Sequence, residues 1–185
     1  MRITKAANRY AKSLLDLAVE KNQLEEIRND METVANALKG SRELHVLVES
    51  KVINDDRKER ALTSVFQGNV TDLTLQFFHL LTRHQRANLI PQICREFQQQ
   101  YLDHKHILIV DVTSAVRLSQ AALDKIRQTL HTSEWNEVRL NEHLDPELIG
   151  GFVIKTNNYL FDASVESQLN TLKRELVTTS HIAQI

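Results

Sequence analysis

Near residue 104 the spacing of apolar side chains changes, and one kind of regular structure cannot serve both stretches. Upstream, Leu24, Ile27, Met31, Val34, Ala35 and Leu38 recur at steps of mostly three and four, the period of an amphipathic helix. Ala7, Tyr10, Ala11, Leu14, Leu17 and Ala18 make a second such stripe, widened by Leu15 and Val19. Downstream, His106 to Val112 is dense and β-branched, and Val138-Arg139-Leu140 alternates as a half-buried strand does. The chain is also poor in turn formers. It has 4 Gly and 2 Pro in 185 residues, against average usage of about 7% and about 5%. Few turns mean long elements, mostly helical.

Between these landmarks the punctuation is local. Gly40 then Ser41 reads as a helix stop followed by a helix start, with Leu44, Leu47 and Val48 on the short helix after it. Asn54-Asp55-Asp56 caps a helix from Arg57 to Phe66, where acids suit the positive end of the helix dipole, and Gly68-Asn69 ends it. Residues 71–85 differ: Leu73, Leu75, Phe77, Phe78, Leu80 and Leu81 point all round a helix, so it is central or keeps one face for a partner. Leu89, Ile90, Ile93, Phe97 and Tyr101 follow, with Pro91 near the helix start where a missing N–H costs little. That makes six helices to about residue 103.

Farther on, Ser119 caps a helix carrying Leu123, Ile126 and Leu130. Phe152-Val153-Ile154 and Tyr159-Leu160-Phe161 flank Thr156-Asn157-Asn158 as a hairpin. Asp162 is expected to cap a last helix whose stripe is Val165, Leu169, Leu172 and Leu176, either core or a coiled-coil-like seam. The expected fold is mostly α: an N-terminal six-helix bundle over residues 1–104, then a small α/β domain over 105–185.

Composition excludes several functions. The formal net charge is −1, and residues 1–104 carry 15 basic and 14 acidic side chains against 8 and 10 in the rest. Neither part has the positive excess that binding driven by phosphate neutralisation needs, so no nucleic acid is expected. No phosphate-cradling glycine loop is present. One cysteine, Cys94, excludes an internal disulfide framework and a Cys-rich zinc site, suits a reducing compartment, and reads as a small buried hydrophobe. No apolar run approaches the roughly 18 residues of a membrane span. Arg2, Lys5, Arg9 and Lys12 precede the first acid, Asp16, but Glu20, Glu25 and Glu26 follow at once, so the start reads as a first helix and not as a leader.

No chemistry-bearing constellation emerges. His79 and His84 are five apart and do not share a helix face. His104-Lys105-His106 reads as a solvated junction. Glu142, His143 and Asp145 form the one tight mixed cluster, just before a turn, and Asn69-Val70-Thr71 reads as a helix start. No catalytic residue, cofactor or metal is expected. Asp145-Pro146 through Gly150-Gly151-Phe152 holds half of the chain's glycines and reads as a tight turn or bulge entering a strand.

These blocks carry a resemblance. Arg9-Tyr10-Ala11-Lys12-Ser13-Leu14-Leu15-Asp16-Leu17-Ala18 resembles the opening of the delta subunit of F-type ATP synthases, whose mitochondrial equivalent is the oligomycin-sensitivity-conferring protein. Phe78 to Leu81, Arg86, Leu89-Ile90-Pro91, Ile93 and Phe97 resemble the family's middle block. Asp145-Pro146, Gly150-Gly151-Phe152, Asp162-Ala163-Ser164-Val165 and Leu169 resemble its C-terminal signature. Ser13, Ala163 and Thr156-Asn157-Asn158 depart from the family pattern, where a small apolar residue, a glycine and a glycine-containing turn are usual.

The resemblance implies a non-catalytic stator subunit at the cytoplasmic face of a bacterial inner membrane, one copy per complex, held to the membrane only through the complex. It implies two partners, the N-terminal helix of an α subunit and the C-terminal helix of the b-subunit stalk. The α-subunit groove would lie between the first and fifth helices, at Tyr10, Ser13, Leu17, Leu73, Phe77 and Leu80. The b-subunit surface would be the stripe Val165, Leu169, Leu172 and Leu176. The competing expectation is a free-standing helical adaptor that binds amphipathic helices.

Overall fold

The computed structural model of the chain describes residues 4–50, 52–130, 135–156 and 159–182, with side chains up to residue 174. The chain divides into two compact units, residues 1–104 and 105–185. It is mostly helical, with one small sheet of four strands.

The first unit holds helices α1 (Lys5–Glu20), α2 (Leu24–Gly40), α3 (Arg42–Glu49), α4 (Asp55–Phe66), α5 (Asp72–Arg83) and α6 (Ile90–Lys105), with a 3-10 turn at Ala87–Leu89. Hydroxyl side chains start three of them: Thr4, Ser41 and Thr71 accept hydrogen bonds from the N–H of Ala7, Leu44 and Thr74. Asn54 precedes α4 without a side-chain bond, so the contribution of that cluster is the charge of Asp55 and Asp56 in the first turn. Turns without glycine are made by Asn22, Gln85 and His106, whose φ values are 55°, 57° and 56°. Such left-handed residues cost about 1–2 kcal/mol each. Each helix turns its stripe inward: Ala7, Ala11 and Leu14 of α1 join Ile27, Met31 and Val34 of α2, Phe66 of α4, Phe78 and Leu81 of α5, and Ile93 and Phe97 of α6 in one core. The rings of Phe66 and Phe78 lie 5.6 Å apart and tilted.

The second unit runs β1 (Ile107–Ser114), α7 (Gln120–Leu130), β2 (Glu137–Leu144), β3 (Gly151–Lys155), β4 (Leu160–Ser164) and α8 (Val165–Ile182). The strand order is β2-β1-β3-β4. Strands β1 and β2 are parallel and joined through α7, as a parallel pair requires a crossover. The pairs β1/β3 and β3/β4 are antiparallel. Register places Val110, Val112, Val138 and Ile154 on one face, where they pack with Ile126 of α7. The other face carries polar pairs, with Asn141 donating to Asp111 at 3.0 Å.

One local expectation fails here. Asp162 does not cap α8, because it lies within β4; Ser164 is the cap, its Oγ accepting from the N–H of Ser167 at 3.2 Å. Glu142 and His143 are neighbours in a strand and so point to opposite faces. No group of three His, Cys, Asp or Glu side chains among the described residues is placed to hold a metal. Residues 157 and 158 of the expected hairpin turn lie outside the described residues.

Candidate partner-binding surfaces

On α1, Tyr10, Ser13 and Leu17 follow one another at steps of three and four, on the side flanking the buried Ala7, Ala11, Leu14 and Ala18. On α5, Phe77 and Leu80 are three apart beside the buried Phe78 and Leu81. The two helices meet through Tyr10 and Phe77, whose rings lie 6.5 Å apart edge to face. Tyr10, Leu17 and Phe77 are half-buried against the core, while Leu80 is 42% exposed. Ser13 is exposed and its hydroxyl donates to the carbonyl of Arg9, so it narrows nothing between the helices. The result is an apolar seam closed by the two rings, with Leu80 exposed beside it.

Leu73 is 8% exposed and belongs to the core. The apolar residues of α5 therefore resolve into three environments: Leu73, Phe78 and Leu81 are buried, Leu75 and Phe77 half-buried, and Leu80 exposed.

Both walls of the seam are anchored from behind by polar contacts that the sequence does not advertise. The Asp30 side chain of α2 is 6% exposed, and its Oδ2 accepts from the Thr71 N–H at 2.8 Å and from the Thr71 and Thr74 hydroxyls at 2.7 Å each. That fixes the first turn of α5. For α1, Thr4 donates to Gln92, Asn8 to the carboxyl of Glu96, and Gln100 to the carbonyl of Asn8. Residues 92, 96 and 100 form one row on α6. Polar residues on helix faces are ordinarily solvated, which is why neither set stands out as a motif.

In the second unit, α8 has no buried side chain among those described. Leu169 and Leu172 are 56% and 54% exposed, and Val165 is at the margin of exposure. Val165, Leu169 and Leu172 thus lie at the surface and not in the core. Leu176 lies on α8, but its side chain falls outside the described residues. The sheet adds exposed Leu160 and Phe161 on β4 near the root of α8.

Burial pushes the Cys94 thiol up to about 12. The Glu137 carboxyl is held below its usual range by its hydrogen bond with Arg139, and Glu43 by backbone and Ser41 hydrogen bonds; both are at the surface. His79 and Glu59 meet at 2.7 Å across α5 and α4, an exposed pair.

Comparison with known proteins decides the family. Residues 6–176 match the model of the ATP synthase delta (OSCP) subunit. The chain belongs to that family. ATP synthase subunit delta of Chlorobium phaeobacteroides is 37% identical over 176 residues, covering 95% of this chain and 98% of that protein. ATP synthase subunit delta of Chlorobaculum parvum is 35% identical over 172 residues, covering 93% and 95%. A chain in the Toxoplasma gondii mitochondrial ATP synthase hexamer shares the fold, with a TM-score of 0.70 at 24% identity over 94% of this chain and 98% of that one. As a delta (OSCP) subunit the protein is a structural, non-catalytic stator component of an ATP synthase. The free-standing adaptor is set aside by this membership. Among the described residues no helix is long and apolar enough to cross a membrane.

Proposed function

We propose that the seam between α1 and α5 receives the N-terminal helix of an α subunit, and that α8 receives the C-terminal helix of the b-subunit stalk. The helical unit then serves as a six-helix bundle gripping the catalytic head, and the second unit ties it to the stalk. One copy per complex suffices, held at the cytoplasmic face of a bacterial inner membrane through the other subunits. The bacterial delta subunits related to this chain support that placement.

The observation that carries the reading is the exposure of Leu169 and Leu172 on a helix without a buried side chain among those described. An amphipathic helix that leaves its apolar face in water is stabilised by a partner helix laid along it. The α1/α5 seam supports the other contact, since Tyr10 and Phe77 offer rigid aromatic surface and Leu80 an exposed anchor.

Two substitutions test the assignment. Leu172→Glu lies on exposed surface and should leave the melting curve unchanged, while binding of a peptide spanning the C-terminal helix of the b stalk weakens by about 2–4 kcal/mol. Leu80→Asp should do the same for a peptide spanning the N-terminal helix of the α partner and leave the stalk peptide unaffected. Isothermal calorimetry with both peptides gives a two-by-two result. Unchanged affinities in folded variants would remove these surfaces from the reading.

A further inference from the structure

The glycine pair in Asp145 to Phe152 stands at the point where the sheet becomes helix α8. Strand β4 ends at Ser164 and α8 begins at Val165, with no loop between them. Four features tie that junction down. The Val165 N–H donates to the Gly150 carbonyl at 3.0 Å. Gly151 pairs with Ser164 across β3 and β4 at a φ of +79°, and a Cβ there would lie 2.3 Å from the Ala163 carbonyl oxygen, so only glycine lets the two backbones approach this closely. The Ser164 side chain is buried and caps α8 through Ser167. The Asp162 carboxyl accepts from the Ser164 N–H at 2.9 Å, and the hydroxyl and N–H of Ser164 hold it below the usual carboxylate range.

We propose that Gly150, Gly151, Asp162 and Ser164 form a rigid joint that sets the direction of α8 from the sheet, and that they are the positioning residues for the stalk contact. The inference rests on the reading of α8 as that contact. None of the described α8 side chains is buried, whereas its root is tied to the sheet by the contacts above, so the root is what aims the described part of the helix. A joint of this kind also suits a stator. A pull along α8 enters the β3/β4 ladder through backbone hydrogen bonds, with no flexible loop to stretch before force is transmitted.

The test is a distance measurement in the full chain, made without any partner. Spin labels go on cysteines introduced at Gln128 of α7 and Lys173 of α8, both exposed. The native Cys94 is buried and its thiol stays protonated, so it does not take label. The unmodified joint should give one narrow distance distribution. Asp162→Ala, at an exposed site, should broaden it without loss of folding, and Gly151→Ala should broaden or shift it further. Both should weaken binding of the stalk-helix peptide, Gly151→Ala by roughly tenfold. A Ser164→Thr variant keeps the capping hydroxyl and should retain the narrow distribution where Ser164→Ala loses it. A distribution already broad in the parent protein, or unchanged in Asp162→Ala and Ser164→Ala, overturns the joint. The stalk reading fails separately, when Leu172→Glu leaves peptide affinity intact.

Discussion

Replacing Asp30 with alanine should destabilise the helical unit by about 3 kcal/mol. The magnitude comes from the three hydrogen bonds that converge on Oδ2, from the Thr71 N–H at 2.8 Å and the Thr71 and Thr74 hydroxyls at 2.7 Å. Each is worth about 1 kcal/mol net. The donors fare differently once the acceptor is gone. The Thr74 hydroxyl, fully buried, still has Thr71 Oγ1 at 3.3 Å, whereas the Thr71 N–H loses its acceptor at a half-buried helix start. A cavity the size of a carboxyl group adds to the cost, and removal of a desolvated polar group subtracts from it. Urea unfolding followed by circular dichroism reads the difference, with the slope m unchanged if only the folded state is affected. Asp30→Asn keeps a carbonyl oxygen able to accept and should lose less than Asp30→Ala. Because α5 carries Phe77 and Leu80, the alanine variant should also weaken binding of the α-partner peptide. A loss below about 0.5 kcal/mol, the scale of an ordinary surface change, would refute the argument that Asp30 holds α5 in place.

Three further outcomes are expected. Cys94 should resist thiol reagents at pH 8 until the protein unfolds; with the folded thiol at about 12 and an unfolded thiol near 8.5, stability is full below about pH 8.5 and falls with rising pH until the folded thiol itself ionises, measurable as a falling urea midpoint. A fragment of residues 1–104 should melt cooperatively as a helical protein, since its core cluster draws on its own helices alone. Removing the protein should leave ATP hydrolysis by the soluble head intact and abolish proton-driven synthesis in membrane vesicles, whereas loss of hydrolysis as well would point to a direct catalytic part.

Most element types were legible because the hydrophobic period is strong. Ile27, Met31 and Val34 read as a helix face and are fully buried; Val110 and Val112 read as strand and line the sheet core. What failed did so for local reasons. The expected cap at Asp162 and the observed one at Ser164 are two residues apart, and either type serves; β4 runs on to Ser164 because the Gly151 pair extends the ladder. Leu73 and Leu80 are both leucines seven residues apart on one helix, and periodicity places them on the same face and does not sort them. Asp30 contacts residues 41 and 44 positions away, a separation no local pattern encodes. Scarcity of glycine correctly pointed to long helices, yet the left-handed positions at Asn22, Gln85 and His106 are taken by other residues.

The two proposed contacts differ in how their geometry is fixed. In the helical unit, polar bonds at Asp30 and along Asn8, Glu96 and Gln100 hold α5 and α1 before any partner arrives. A seam set in advance loses little conformational freedom on binding, so more of the contact energy appears as affinity. In the second unit the first turn of α8 is fastened to the sheet, and Leu169 and Leu172 beyond it are open to solvent. There a partner helix must supply the packing that the fold does not, and the side chains of α8 must order as it binds, at a cost of about 0.5–1.5 kcal/mol for each long one. A stator needs both contacts to release slowly, and differences between related contacts reside mostly in the off-rate. The fastened root of α8 is then the feature that keeps this second cost to side chains alone: with the helix direction already set, backbone order does not have to be gained on binding. Substitutions at the root should therefore raise the off-rate of the stalk helix while leaving the apolar stripe chemically unchanged.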